Sequence, residues 1–253
     1  MINLDRSTDR LDRVTSEFAR IGIAFERVPA IDASKGPLNI PAAPHLAKPE
    51  IACFLSHRKC WEIIADGADQ HVAVFEDDVV FRCDASLFLS GDSWVPLDAD
   101  IVKVETFFGH VRLARLFSLG NGHSLGRLVG EHLGTAGYVI SKRAAQKLLV
   151  RTAHLKEPVD LALFSPNSMI CARNTTYQVT PALCVQQQFL SGQNMAPSLI
   201  QMSPHCRKSV VTKIRGELSR LFAHCRNRTF WRTKKVDLRP GWTRSIIPAG
   251  QSS

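Results

Sequence analysis

The stretch His71-Val72-Ala73-Val74-Phe75-Glu76-Asp77-Asp78-Val79-Val80-Phe81 runs from a near-continuous apolar segment into three carboxylates and back to apolar residues. An apolar run of this length without alternation is the pattern of a strand covered on both faces. The acids therefore stand at its carboxyl end. Working outward, Ile101 to Val104 and Tyr138 to Ile140 read as further strands, and Lys142 to Val150 as a helix following directly from the last of them. On the amino side, Pro49 opens a helix to about Ala65 with Ile51, Leu55, Ile63 and Ile64 available for burial, and the proline-rich stretch from Gly36 to Pro49 reads as an exposed loop. Phe25 to Ile31 alternates like a strand, Leu11, Val14, Phe18 and Ile21 recur at helical spacing, and Met1 to Leu4 is a short apolar start. Strands alternating with helices predict an α/β protein, a single Rossmann-like domain with a mostly parallel central sheet covered by helices. In such sheets ligands bind outside the carboxyl ends of the strands, where the acidic triplet lies. Gly120 to Gly130, with four glycines and no apolar periodicity, predicts a loop that could act as a lid.

The chain of 253 residues is long enough to bury one sizeable core without covalent staples. Its charge is concentrated. Between Cys206 and Arg239 eleven Lys or Arg face two acids, Glu217 and Asp237, a surplus equal to the formal net charge of +9 of the whole chain. Residues 1–205 thus read as an electrically neutral catalytic domain and 206–253 as a basic tail. Within Lys208 to Phe222, Val210, Val211, Ile214, Leu218, Leu221 and Phe222 fall at helical spacing, which predicts a basic amphipathic helix. Such a helix either docks on an anionic membrane leaflet or packs on the domain with a solvated basic face. Trp231 and Trp242, beside Arg232 and Arg244, favour the interface.

Seven cysteines (53, 60, 83, 171, 184, 206 and 225) include no CxxC pair, so their spacing suggests neither a zinc site nor a disulfide framework. A reducing cytosol fits them. No window approaches the roughly 18 apolar residues of a spanning helix, and the polar run Asn3 to Arg6 is unlike a signal peptide. The expected location is cytoplasmic, with peripheral contact at the cytoplasmic face of the inner membrane if the tail binds lipid. The sequons at Asn174 and Asn227 would then carry no meaning.

Three adjacent carboxylates repel one another, and enclosing such charge without a counter-ion costs several kcal/mol per group. Magnesium and manganese take oxygen ligands, commonly one or two carboxylates plus substrate phosphate oxygens. Glu76, Asp77 and Asp78 could supply the protein side of such a site; an acidic turn facing solvent is the alternative.

The triplet does not stand alone. Ile2-Asn3-Leu4-Asp5-Arg6-Ser7-Thr8-Asp9-Arg10, Glu50-Ile51-Ala52-Cys53-Phe54-Leu55-Ser56-His57, Val74-Phe75-Glu76-Asp77-Asp78, Gly134-Thr135-Ala136-Gly137-Tyr138-Val139-Ile140-Ser141 and Pro158-Val159-Asp160 follow one another in an order and spacing that resembles glycosyltransferase family 25. That family contains lipooligosaccharide galactosyltransferases and is similar to the collagen galactosyltransferase domains. The resemblance covers roughly Ile2 to Cys184 and stops short of the basic tail. It implies a GT-A type fold and inverting, metal-dependent transfer of a hexose, commonly galactose from UDP-galactose, to a glycan such as a lipopolysaccharide or lipooligosaccharide core.

The resemblance also implies roles for single residues. Asn3, Arg6 and Arg10 belong to the donor-binding opening, where a planar guanidinium can grip an oxyanion through two hydrogen bonds; by itself Arg10 reads as a solvated helix residue. Asp78 is the foremost ligand for Mn2+ or Mg2+, with Asp77 beside it, and Glu76 stands near the ribose or behind the metal. His57 either fixes a nearby loop or touches donor or acceptor. An inverting transfer needs a base for the acceptor hydroxyl. Asp160 is the candidate, unless it binds metal or the donor sugar, and Glu105 is the next. Ala52 stands where relatives often carry glycine, a difference of packing. The first strand, starting at Met1-Ile2, reads as shorter than in typical relatives, which leaves a family member that binds without turnover as an alternative. A second alternative, a nucleic-acid-binding protein, accounts for the basic tail but not for the triplet or the neutral body, so no nucleic-acid partner is expected.

Overall fold

The helical periodicity around Val14 and Phe18 becomes α1, Thr8–Arg20, in the computed structural model, which describes residues 1–190, 233–239 and Trp242. In chain order the strands are β1 Ile2–Asn3, β2 Val28–Pro29, β3 His71–Phe75, β4 Val79–Phe81, β5 Ile101–Lys103, β6 Glu105–Thr106, β7 His110–Gly120, β8 His123–Leu128, β9 Gly137–Ser141, β10 Thr176–Thr180, β11 Cys184–Gln186 and β12 Lys234–Asp237. The other α-helices are α2 Lys48–Asp66, α3 Ser86–Leu89, α4 Lys142–Arg151 and α5 Val159–Phe164. Local chemistry sets several ends. Pro49 lies in the first turn of α2, and the Glu50 carboxylate accepts the Ala47 N–H at 2.7 Å. Ser141 caps α4 by accepting from the Ala144 N–H at 3.2 Å.

The central sheet has the order β12-β7-β8-β10-β5-β9-β3. Both faces are covered. Val74, Ile101, Tyr138 and Ile140 pack with Trp61, Leu148 and Leu163 on one side, while Phe75, Val102 and Val139 pack with Val14, Phe18 and Phe88 on the other. The sheet is mixed, however, and the mostly parallel arrangement read from the sequence does not hold: only β5 and β10 pair in parallel within it among the described residues. The reason is that burial on both faces makes any central strand continuously apolar, whichever way it runs. β9 lies antiparallel between β3 and β5, so β3, β5 and β10 still share one direction and one carboxyl edge. At that edge the reversed β9 contributes its amino end.

Four further expectations are corrected. Gly120 to Gly130 is no loop but the turn and second strand of the β7–β8 hairpin, with positive φ at Gly120, Asn121 and Gly122 making the reversal. Of Phe25 to Ile31 only Val28–Pro29 pairs as strand, beside β1. Lys234–Asp237, read as tail, forms the outer strand β12 against β7. Trp242 is buried against Phe108 and under the Arg82 guanidinium rather than offered to an interface. The segment Lys208 to Phe222 and Trp231 lie outside the described residues.

Small residues are required where β9 meets β3. A Cβ on Gly137 would come within 2.5 Å of Cys184 Sγ and 3.1 Å of the Phe75 ring. Gly137→Ala is therefore expected to lower stability by about 1–3 kcal/mol in urea denaturation, as overpacking of a filled core does.

Candidate active site

Aromatic packing fixes the turn that carries the triplet. Phe18 of α1 lies 5.8 Å from the Phe75 ring and 4.9 Å from that of Phe81, and Phe75 meets Phe81 edge-on at 5.0 Å. Burying a ring of this size contributes about 1.5–3 kcal/mol. Glu76, Asp77 and Asp78 are thus held between two anchored strands, β3 and β4.

Each acid has its own partners. Asn3, fully buried, donates from Nδ2 to Asp77 at 2.7 Å, and its side-chain Oδ1 accepts from Arg27 Nε at 3.1 Å. Arg10, in the first turns of α1, bridges Asp77 at 3.0 Å and Asp78 at 2.8 Å. Gln186 of β11 approaches Asp78 at 3.3 Å, and the Gln187 N–H donates to the Asp78 carbonyl at 2.8 Å. Thr135 donates to Glu76 at 2.7 Å, and His57 Nε2 lies 3.3 Å from the same oxygen. Behind it, His57 Nδ1 is 2.9 Å from the Tyr138 hydroxyl, which Trp61 Nε1 meets at 2.9 Å. Since indole can only donate, the arrangement that uses every donor runs from Trp61 to the Tyr138 oxygen, from the Tyr138 proton to Nδ1, and from Nε2–H to Glu76.

The electrostatics of the triplet are uneven. Burial alone would raise the Glu76 carboxyl, but His57, Thr135 and Arg10 outweigh it and hold it below the usual range. Burial raises Asp77 despite Arg10 and Asn3. Asp78 is pushed up to about 6 by burial and by the charges of Glu76 and Asp77, against the pull of Arg10. One guanidinium leaves the pair under-compensated. A hard divalent cation with carboxylate oxygens as ligands fits this donor set.

Asp160 sits in the first turn of α5, its carboxylate accepting the Leu161 N–H at 2.8 Å and no side chain among the described residues. Burial raises its pKa, and the charges of Lys103 and Glu76 both act on it. Glu105 differs. It is fully buried, ion-paired with Lys103 at 2.8 Å, and raised to about 7 by burial. Its strand β6 pairs with β11, and with none of its surface exposed Glu105 does not reach an acceptor hydroxyl in this structure; the reading of Glu105 as a base is corrected. Arg6 is engaged by Asp32 and Ser34, not by the triplet.

The sequence reading missed Thr135, Tyr138, Trp61 and Gln186 as partners of the acids, and Lys103 as the clamp on the Gly134 loop. Lys103 donates to the carbonyls of Leu133 and Gly134, both at 2.6 Å, and so sets the loop that presents Thr135. Thr135 and Tyr138 lay within a quoted motif; for Gln186 and Lys103 no local pattern gave a signal.

A family model described as Glycosyltransferase family 25 (LPS biosynthesis protein) matches residues 1–163, which include every site residue proposed from the sequence. The chain is 34% identical over 212 residues to the lacto-N-neotetraose biosynthesis glycosyltransferase LgtB of Neisseria gonorrhoeae, covering 74% of this chain and 73% of that protein. To the lacto-N-neotetraose biosynthesis glycosyltransferase LgtE of Neisseria meningitidis serogroup B it is 31% identical over 281 aligned positions, 98% of each chain, so similarity continues past Cys184 into the basic segment. To the lipooligosaccharide biosynthesis protein lic2B of Haemophilus influenzae it is 30% identical over 204 residues, 74% of this chain and 75% of that protein.

The raised Asp78 makes a stability prediction. Between the ordinary aspartate value of 3.8 and about 6 the folded protein holds a proton that the unfolded chain has released, so stability falls as pH rises through that window and stays lower above it. Asp78→Asn removes the penalty. At pH 8 the metal-free variant is expected to be more stable than the native protein by up to about 3 kcal/mol and so to melt at higher temperature, and most of the difference should be gone near pH 4. Calorimetry at both pH values checks it.

Proposed function

Because the chain belongs to glycosyltransferase family 25, we propose that it transfers a hexose, galactose from UDP-galactose, with inversion and with a divalent cation, to a glycan of the lipopolysaccharide or lipooligosaccharide core. The observation that carries this reading is the cluster of Asp77, Asp78 and Glu76 at the carboxyl edge, with Arg10 across the two aspartates and Asp160 within electrostatic range. The names of the relatives support the acceptor class: LgtB and LgtE carry lacto-N-neotetraose biosynthesis in theirs, and lic2B lipooligosaccharide biosynthesis.

In this mechanism Asp78, with Asp77, would hold Mn2+ or Mg2+, which when bound supplies electrostatic stabilisation to the departing diphosphate. Asp160 accepts the proton of the acceptor hydroxyl. That oxygen attacks the anomeric carbon from the face opposite the diphosphate, the bond to the phosphate oxygen breaks, and its electron pair leaves with the nucleoside diphosphate. Arg10, held on the two aspartates, supplies a positive charge beside the leaving group. Glu76, kept ionised by His57 and Thr135, serves the ribose or supports the metal ligands. Asn3 and the Trp61–Tyr138–His57 chain hold the acids in place, and no covalent enzyme intermediate forms. No described helix is long and apolar enough to cross a membrane; contact with a lipid-linked acceptor at an anionic surface would fall to the basic segment.

A panel of nucleotide sugars assayed with and without Mn2+ tests the reading. Metal-dependent release of UDP from UDP-galactose is the expected outcome; turnover unaffected by chelator, or tight salt-sensitive binding of duplex DNA without any release, would refute it. Asp160→Asn is expected to lower kcat by about 10²–10⁴ with little change in KM, the range for loss of a general base. An unchanged kcat would remove Asp160 from that role.

A further inference from the structure

Cys53 and His57 stand four residues apart on α2 and so share one helix face. Across from them lies Glu76. The thiol sulfur, an imidazole nitrogen and a carboxylate oxygen of these residues all fall within 4.8 Å of one another. We propose that Cys53, His57 and Glu76 bind one zinc-class cation at a site separate from the Asp77–Asp78 pair, and that its occupation inhibits transfer.

The donor set selects the ion. Sulfur, nitrogen and one carboxylate suit Zn2+, whereas Mg2+ and Mn2+ prefer oxygen alone. Bond lengths to zinc place neighbouring ligand atoms of a tetrahedral site about 3.3–3.8 Å apart. His57 Nε2 and Glu76 Oε1 already lie 3.3 Å apart, so the thiol, within 4.8 Å of both, is the ligand that has to move closer. Cys53 is a free cysteine. The second shell is built as well. Tyr138, itself held by Trp61, engages His57 Nδ1 and fixes the ring, the device that orients metal-binding histidines elsewhere. Cys53 and Glu76 are partly exposed, which leaves a path for the ion and a fourth position for water.

The protons balance simply. On binding, the Cys53 thiol releases its proton to solvent and the carboxylate enters as an anion; the imidazole stays neutral, its proton moving from Nε2 to Nδ1, so the Tyr138 hydroxyl turns its own proton off Nδ1 and its oxygen accepts from both Nδ1–H and Trp61. Glu76 is thereby drawn from Thr135 toward the cation, which removes it from the acid cluster of the proposed transfer site. The inhibition rests on that transfer reading; the binding does not.

Co2+ serves as the probe, added to full-length protein in excess Mg2+. A near-ultraviolet thiolate-to-cobalt charge-transfer band that saturates at one ion per chain and is discharged by Zn2+ is expected. Cys53→Ser and His57→Gln should abolish the band, while Asp78→Asn and Cys83→Ser keep it; Cys53→Ala stands in should the serine variant unfold. No band in the native protein, or a band that survives in both Cys53 variants, overturns the proposal. In the transfer assay Cys53→Ser should retain Mn2+-supported turnover and become at least about tenfold less sensitive to Zn2+. Equal sensitivity would overturn the inhibitory role, and the cobalt titration decides the binding even if the donor or acceptor has been misassigned.

Discussion

Mutual repulsion among Glu76, Asp77 and Asp78 is the constraint around which the rest of the molecule is arranged. Two like charges about 4 Å apart repel by about 4 kcal/mol at an effective dielectric near 20, a large share of the net stability of a domain. Five separate parts of the chain answer that repulsion. Arg10 comes from α1, Asn3 from β1, His57 from α2, Thr135 from the loop before β9, and Gln186 from the end of β11. Even so, burial and the charges of Glu76 and Asp77 keep Asp78 near 6, since the one guanidinium that opposes them is shared between two carboxylates. A site left short of positive charge is chemically suited to a divalent cation.

Behind the acids lies a second, drier layer. Lys103 and Glu105 form a fully buried ion pair, and Lys103 also lies 4.0 Å from the centre of the Phe164 ring. A buried pair of this kind adds little net stability over apolar packing. Its value here is positional: with two carbonyls of the Leu133–Gly134 segment on its ammonium, Lys103 determines where Thr135 stands, and through Thr135 how Glu76 is held. Glu105, read from sequence as a base, thus acts on Glu76 through Lys103 and the loop that presents Thr135.

Elements whose identity depends on local periodicity were legible. The helix through Val14 and Phe18, the helix opened by Pro49, the helix capped by Ser141 and the strand before Glu76 all lie where their apolar spacing and end residues put them. Strand direction was not legible, since Val139 and Ile140 would be equally apolar in either orientation between two layers of helix and loop. The stretch after Gly120 was misread because glycines that make a tight hairpin turn resemble those of a long loop. Arg10 shows the same limit at the site: on a helical wheel it is one more solvated cation, and only the approach of α1 to β4 brings it onto the aspartates.

By itself the sequence determined that an apolar strand would deliver three carboxylates to a sheet edge, which helices would flank it, and which family's ordered motifs surround it, because those features are written in neighbouring residues. Tertiary structure alone decided that Glu76 would meet Thr135 and His57, that Glu105 would be locked away by Lys103, and that Cys53, His57 and Glu76 would stand as three potential ligands around one point. Cysteine spacing gave no hint of the last. Such contacts join residues far apart in the chain, and their distances follow from how two layers of helices pack on a sheet, which no local pattern encodes.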